Sequence, residues 1–129
     1  MLRSKLYSAL SAVENGAKSV LLLEKAPEAW AGGNTYFTAG AYRTVFNSLE
    51  DIIPIVTNVD PETAKIIDMQ PYTEDDFMKD LLRVTNGRAD PALAKILVGE
   101  SWDTIRWLAT QGIRFVLSFN RWVEREHLC

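Results

Sequence analysis

Two short clusters carry residue types that could do chemistry. The first is Glu24, which closes the apolar run Val20 to Leu23. A carboxylate at the end of a buried strand can accept hydrogen bonds from both hydroxyls of a nucleotide ribose, because ligands of open α/β sheets sit beyond the carboxyl ends of the strands. It can equally be a solvated strand-end carboxylate, and "LLLEK" alone leaves both readings open. The second cluster is Gly32-Gly33-Asn34-Thr35, separated from Glu24 by seven intervening residues. Paired glycines let the backbone approach a ligand without Cβ interference and can turn N–H groups toward a pyrophosphate. Asn34 and Thr35 add an amide and a hydroxyl. A plain surface turn would look the same in isolation. The case for a nucleotide site rests on the combination with Glu24 and with the small-residue turn Thr38-Ala39-Gly40.

Other chemistry is poorly represented. The sole histidine and the sole cysteine, His127 and Cys129, lie at the C-terminus. Two residues do not make a zinc pattern, and no Ser/His/Asp or Cys/His constellation can be assembled. We therefore assign no catalytic residue and no metal site. Glu74, Asp75, Asp76 and Asp80 cluster at a helix start, where the helix dipole accounts for them. Arg43, just past the small-residue turn, reads as a surface arginine or as a cation facing a carboxylate or phosphate. A lone cysteine excludes an intrachain disulfide and fits a reducing, cytoplasmic compartment. The formal net charge of −3 gives no footprint for nucleic acid or anionic membrane. The longest apolar run is too short to span a bilayer, and no signal-peptide h-region is present.

The elements that must position these residues follow from periodicity and capping signals. Leu6, Leu10 and Val13 predict a helix over Leu2 to Asn15, with Gly16 as its left-handed cap. Ser19 to Leu23 predicts a strand buried on both faces, as in a parallel sheet. Asp60-Pro61 predicts a short helix start. Thr73 and Asp76 resemble a capping box, and Phe77, Leu81 and Val84 mark one face of the helix that follows, up to Asn86-Gly87. Asp90-Pro91 opens a long helix in which Leu93, Ile96, Leu97, Ile105, Leu108 and Ala109 form the face and Gly112 the stop. Gly99 lies inside it, at a packing point. Trp102, Ile105, Leu108 and Ala109 read as core. Ile113 to Phe119 predicts a second strand. Two strands some ninety residues apart do not make a sheet, so the inventory is mostly helical and looks like part of a larger fold.

The stretch "LLLEKAPEAWAGGNTYFTAGAYR" resembles the flavin-binding segment of the fumarate reductase/succinate dehydrogenase flavoprotein family of FAD-dependent oxidoreductases. With "YTEDDFMKDLLRVTNGRADPALAKILVGESWDTIRWL" it is most similar to the tricarballylate dehydrogenase-like branch. The resemblance runs from about Ala9 to Arg121. It implies an α/β fold, here a partial Rossmann-like FAD-binding domain over residues 1–121, with a divergent tail at 122–129. It implies that Glu24 holds the adenosine ribose of FAD and that the Lys25 backbone lies beside the adenine. Gly32, Gly33, Asn34 and Thr35 would contact the pyrophosphate and flavin region, and Ala39 and Gly40 would line the isoalloxazine. The implied substrate is a small di- or tricarboxylate, fumarate- or tricarballylate-like, oxidised or reduced across a carbon–carbon bond. The family's opening strand and G-x-G-x-x-G turn have no counterpart, since positions 1–6 read MLRSKL. The chain is therefore expected to be a fragment without turnover of its own. The alternative is a non-enzymatic helical interaction module that pairs with a full-length paralogue.

Overall fold

The computed structural model describes residues 2–33 and 40–117. The chain divides into two compact units, Met1–Tyr42 and Arg43–Cys129.

In the first unit, helix α1 (Leu2–Glu14) forms as its periodicity predicts. Its end is a Schellman motif: Ala17 N–H donates to Ala12 O at 2.9 Å and Gly16 N–H to Val13 O at 3.0 Å, with Gly16 at φ 91°. The Tyr7 and Tyr42 hydroxyls share a hydrogen bond. The expected strand at Ser19 to Leu23 does not form. This stretch is irregular, and Leu21 and Leu23 are 81% and 72% exposed. The reason is physical: a doubly buried strand exists only between neighbours, and no strand ladder longer than a single bridge occurs among the described residues. The chain turns instead at the 3-10 segment Glu28–Trp30.

The second unit holds all six buried hydrophobic side chains among the described residues: Ile52, Phe77, Ala94, Val98, Ile105 and Leu108. Its helices are α2 (Leu49–Ile52), α3 (Pro61–Ala64), α4 (Glu74–Val84), α5 (Pro91–Gly99) and α6 (Ser101–Thr110). The capping chemistry expected from sequence is present. Asp60 Oδ1 accepts from the N–H groups of Glu62 and Thr63 at 2.9 and 2.8 Å. Thr73 and Asp76 close a capping box on α4. Asp90 Oδ1 accepts from Ala92 and Leu93 at 2.9 and 3.0 Å. Helix α4 stops where Asn86 turns left-handed, at φ 50°, and Gly87 N–H reaches Leu82 O at 2.8 Å.

Several expectations need correction. The long helix is two helices broken at Glu100 (φ −94°, ψ 3°), a turn that continuous apolar periodicity conceals. Gly99 is no packing point, because a Cβ there would meet nothing within 4 Å. Finally, α5 packs against α4 and α6 through Ala94 and Val98, while Leu93, Ile96 and Leu97 are exposed. Small residues one turn apart permit close helix approach, so the bulkier aliphatics face outward. Val84, expected on the α4 face, is likewise exposed, whereas Phe77 is buried. In α6, Ile105 and Leu108 are buried, and Trp102 and Ala109 are half-buried. The expected strand at Ile113 to Phe119 reduces to one parallel bridge, Val56 to Phe115, and its last two residues lie outside the described residues. A second bridge, antiparallel, joins Phe46 and Tyr72. The fold is thus mostly helical, compatible with part of an α/β domain.

Candidate nucleotide-binding segment

Glu24 is half-buried on an irregular stretch, not at the end of a strand. Its Oε1 accepts the N–H of Ala26 at 3.0 Å, so the carboxylate organises the turn that follows it. Lys25 is exposed. Pro27 O accepts from Trp30 N–H at 2.8 Å, which tightens the turn leading to the paired glycines. Gly32 is buried at φ 113°, Gly33 is exposed at φ 54°, and Gly40 is half-buried at φ 75°. All three occupy backbone conformations that L-residues rarely adopt, so glycine is required there by conformation. Asn34, Thr35 and Ala39 lie outside the described residues, as do His127 and Cys129.

A second polar cluster sits in the second unit; sequence reasoning singled out Arg43 and Asp80 separately and missed Tyr72 and Arg83. Arg43 Nη1 donates to Tyr72 Oη at 2.6 Å and to Asp80 Oδ2 at 2.5 Å. Tyr72 Oη donates to the same Oδ2 at 2.9 Å, and Arg83 Nη2 donates to Asp80 Oδ1 at 3.1 Å. The Arg43 guanidinium carbon lies 5.4 Å from the Tyr72 ring centroid, within cation–π range. The Tyr72 hydroxyl foremost, then Arg83 and Arg43, hold the Asp80 carboxyl below its usual range. Burial foremost, then the bond to Asp80, pushes the Tyr72 phenol up. Arg43 is thus a surface arginine, as one of the two readings expected, and its charge is engaged by Asp80 and Tyr72. The partners are 29 and 37 residues away in sequence, and no local motif announces such a pairing.

Ser101 is the other residue that sequence reasoning missed. It is buried at the break between α5 and α6. Its Oγ donates to Val98 O at 2.8 Å and accepts from Val45 N–H at 3.1 Å. Among the described residues, no group of three or more His, Cys, Asp or Glu could hold a metal ion. Nor is any helix there long and apolar enough to cross a membrane.

Comparison with known proteins points in one direction. Two curated relatives, both fumarate reductase (cytochrome) from Shewanella frigidimarina, one of them from strain NCIMB 400, are 30% identical to the chain over 105 residues. The match covers 81% of this chain and 15% of each relative, so the chain spans only about 15% of their length. No family model matches the chain, and no solved structure matches it. The chain is therefore distantly similar to one stretch of a fumarate reductase.

Proposed function

We propose that the chain is the nucleotide-holding part of an FAD-dependent oxidoreductase acting on a small di- or tricarboxylate, fumarate- or tricarballylate-like. The observation that carries this reading is the 30% identity to fumarate reductase over 81% of the chain. Gly32, Gly33 and Gly40 support it, because residues without a Cβ let the backbone approach a cofactor closely. In this reading residues 1–121 are a partial FAD-binding domain and 122–129 a divergent tail. FAD, when bound, supplies hydride transfer to or from the carbon–carbon bond. The chain's own residues bind and orient: Glu24 on the ribose, Lys25 beside the adenine, Gly32 to Thr35 at the pyrophosphate, Ala39 and Gly40 at the ring. The setting is cytoplasmic, a reading that rests on the single cysteine.

The G-x-G-x-x-G turn has no counterpart in the chain, and no residue is assigned to proton transfer or to clamping substrate carboxylates, so the isolated chain is expected to bind flavin weakly and not to turn over. Titration of the purified chain with FAD, followed by flavin fluorescence, tests this. Binding in the micromolar range or weaker, about −8 kcal/mol at best, is expected. Gly33→Val should abolish it. The flavin reading fails if fluorescence stays unchanged up to ~1 mM FAD, well beyond the range that weak binding requires. Stoichiometric yellow protein that reduces fumarate in a dye-coupled assay would overturn the claim of inactivity.

A second reading, a helical module that pairs with a full-length paralogue, draws on the exposed aliphatic row Leu93, Ile96 and Leu97 on α5. Light scattering separates the two. A clean monomer with cooperative melting counts against the module.

A further inference from the structure

The segment Arg43 to Phe46 has almost no regular structure, yet all four of its residues are tied down within the second unit. Arg43 reaches Asp80 on α4 and the Tyr72 hydroxyl. The Thr44 hydroxyl lies 3.4 Å from Ser101 Oγ, and Val45 N–H donates to that same oxygen. Phe46 exchanges both backbone hydrogen bonds with Tyr72, at 3.1 and 3.0 Å. Tyr72 serves twice, through its backbone to Phe46 and through its phenol to Arg43. Its ring also stacks obliquely between Phe46 at 6.5 Å and Phe77 at 5.7 Å, centroid to centroid, and Phe77 is a core residue.

We propose that Arg43–Phe46 is a strap that docks and releases as one cooperative unit, held by two clasps, Asp80 with Tyr72 on one side and the buried Ser101 on the other. The two clasps stand on different helices, so the strap bridges α4 and the α5–α6 break. The segment is held chiefly by directed hydrogen bonds at exposed or half-buried groups, and a short segment held in this way is the kind that opens locally, below the global unfolding limit. Because Arg43 is the first residue of the second unit, the strap fixes the register in which the chain begins that unit. Ser101 and Asp80 are then positioning residues for this segment. The device does not depend on whether the chain holds flavin.

The cooperative claim has a sharp consequence. Asp80→Asn should speed exchange at the Val45 amide even though its own acceptor, Ser101 Oγ, is untouched. Ser101→Ala should speed exchange at the Phe46 amide even though its acceptor, Tyr72 O, is untouched. Native-state hydrogen exchange read by NMR measures both. An acceleration of about three- to ten-fold is expected at each, the range for losing one partly exposed charged or neutral hydrogen bond. The helix-end amides of Thr85 and Gln111, bonded to Leu81 O and Trp107 O, should keep their rates. Arg83→Gln serves as the control, since Arg83 touches Asp80 but not the strap, and it should leave Val45 and Phe46 unchanged. If Ser101→Ala does not fold, Arg43→Gln, at a side chain 57% exposed, provides the second variant and should accelerate both amides. The proposal fails if Ser101→Ala accelerates Val45 but not Phe46, if Asp80→Asn leaves Val45 unchanged, or if Thr85 and Gln111 accelerate equally.

Discussion

Helix α5 offers a test in which the sequence pattern and the structure disagree about which residue matters. Apolar spacing nominates Leu93, Ile96 and Leu97 for the core; the structure buries Ala94 and Val98 instead. Val98 is 2% exposed and Leu93 67% exposed. Val98→Ala removes two carbons from a closed site. At ~0.8 kcal/mol per buried carbon, with ~1 kcal/mol more for the void left behind and ~0.5 returned by alanine's better helix propensity, the loss is about 2 kcal/mol. Leu93→Ala removes three carbons, but only about a third of that surface is buried. Its loss is ~0.8 kcal/mol, and alanine's better helix propensity returns ~0.2. The smaller truncation should therefore cost about three times the larger one. Urea unfolding followed by far-UV circular dichroism reads the difference. With a slope of ~1 kcal/mol per molar, the midpoint should drop by about 2 M for Val98→Ala and by about 0.6 M for Leu93→Ala. If Leu93→Ala costs as much as Val98→Ala, the face assigned to α5 is wrong, and with it the packing of α5 against α4 and α6.

Two glycines on neighbouring helices should respond to alanine with opposite signs. Gly99→Ala meets open space in a right-handed helix end and should stabilise by about 0.5–1 kcal/mol, whereas Gly112→Ala, at φ 87°, should destabilise by about 1 kcal/mol; the same urea midpoints check both. Acid should weaken the fold through Asp60, Asp76 and Asp80, whose carboxyls are all held below their usual range, foremost by the Thr63 backbone, the Thr73 hydroxyl and the Tyr72 hydroxyl respectively. A lowered folded value means the contribution is full above the unfolded value of ~3.9 and is lost as pH falls through the folded value, so the urea midpoint should be level from about pH 7 to 5 and fall below about pH 4. A midpoint that holds from pH 6 to 3 would refute it. Thr73→Ala should cost about 1 kcal/mol near neutral pH and should flatten that acid slope, since Asp76 then loses its principal partner.

What the sequence made legible was local chemistry. Asp60, Thr73 with Asp76, and Asp90 cap the helices they announce, because a side-chain oxygen two or three residues from an orphan N–H needs no other part of the chain. Gly16, Asn86 and Gly112 end helices for an equally local reason. What failed was everything that depends on a distant neighbour. A run such as Val20 to Leu23 states only that the segment is apolar; whether it becomes a strand is decided by ladders that other segments must supply. The face of α5 is decided by where α4 and α6 lie, and Ser101 and Tyr72 matter only because residues more than 25 positions away come to meet them. The same division governs the nucleotide reading. The glycines were singled out for their missing Cβ; their positive φ at Gly32, Gly33 and Gly40 is a further local demand that the structure adds. Glu24 was placed by assuming a strand beneath it, and without that strand its carboxylate bends to the Ala26 N–H. A ribose hydroxyl would compete with that backbone donor for Oε1. Under the flavin reading proposed above, a strand paired with 19–23 would straighten the segment and free Oε1, so flavin affinity should rise with strand formation there.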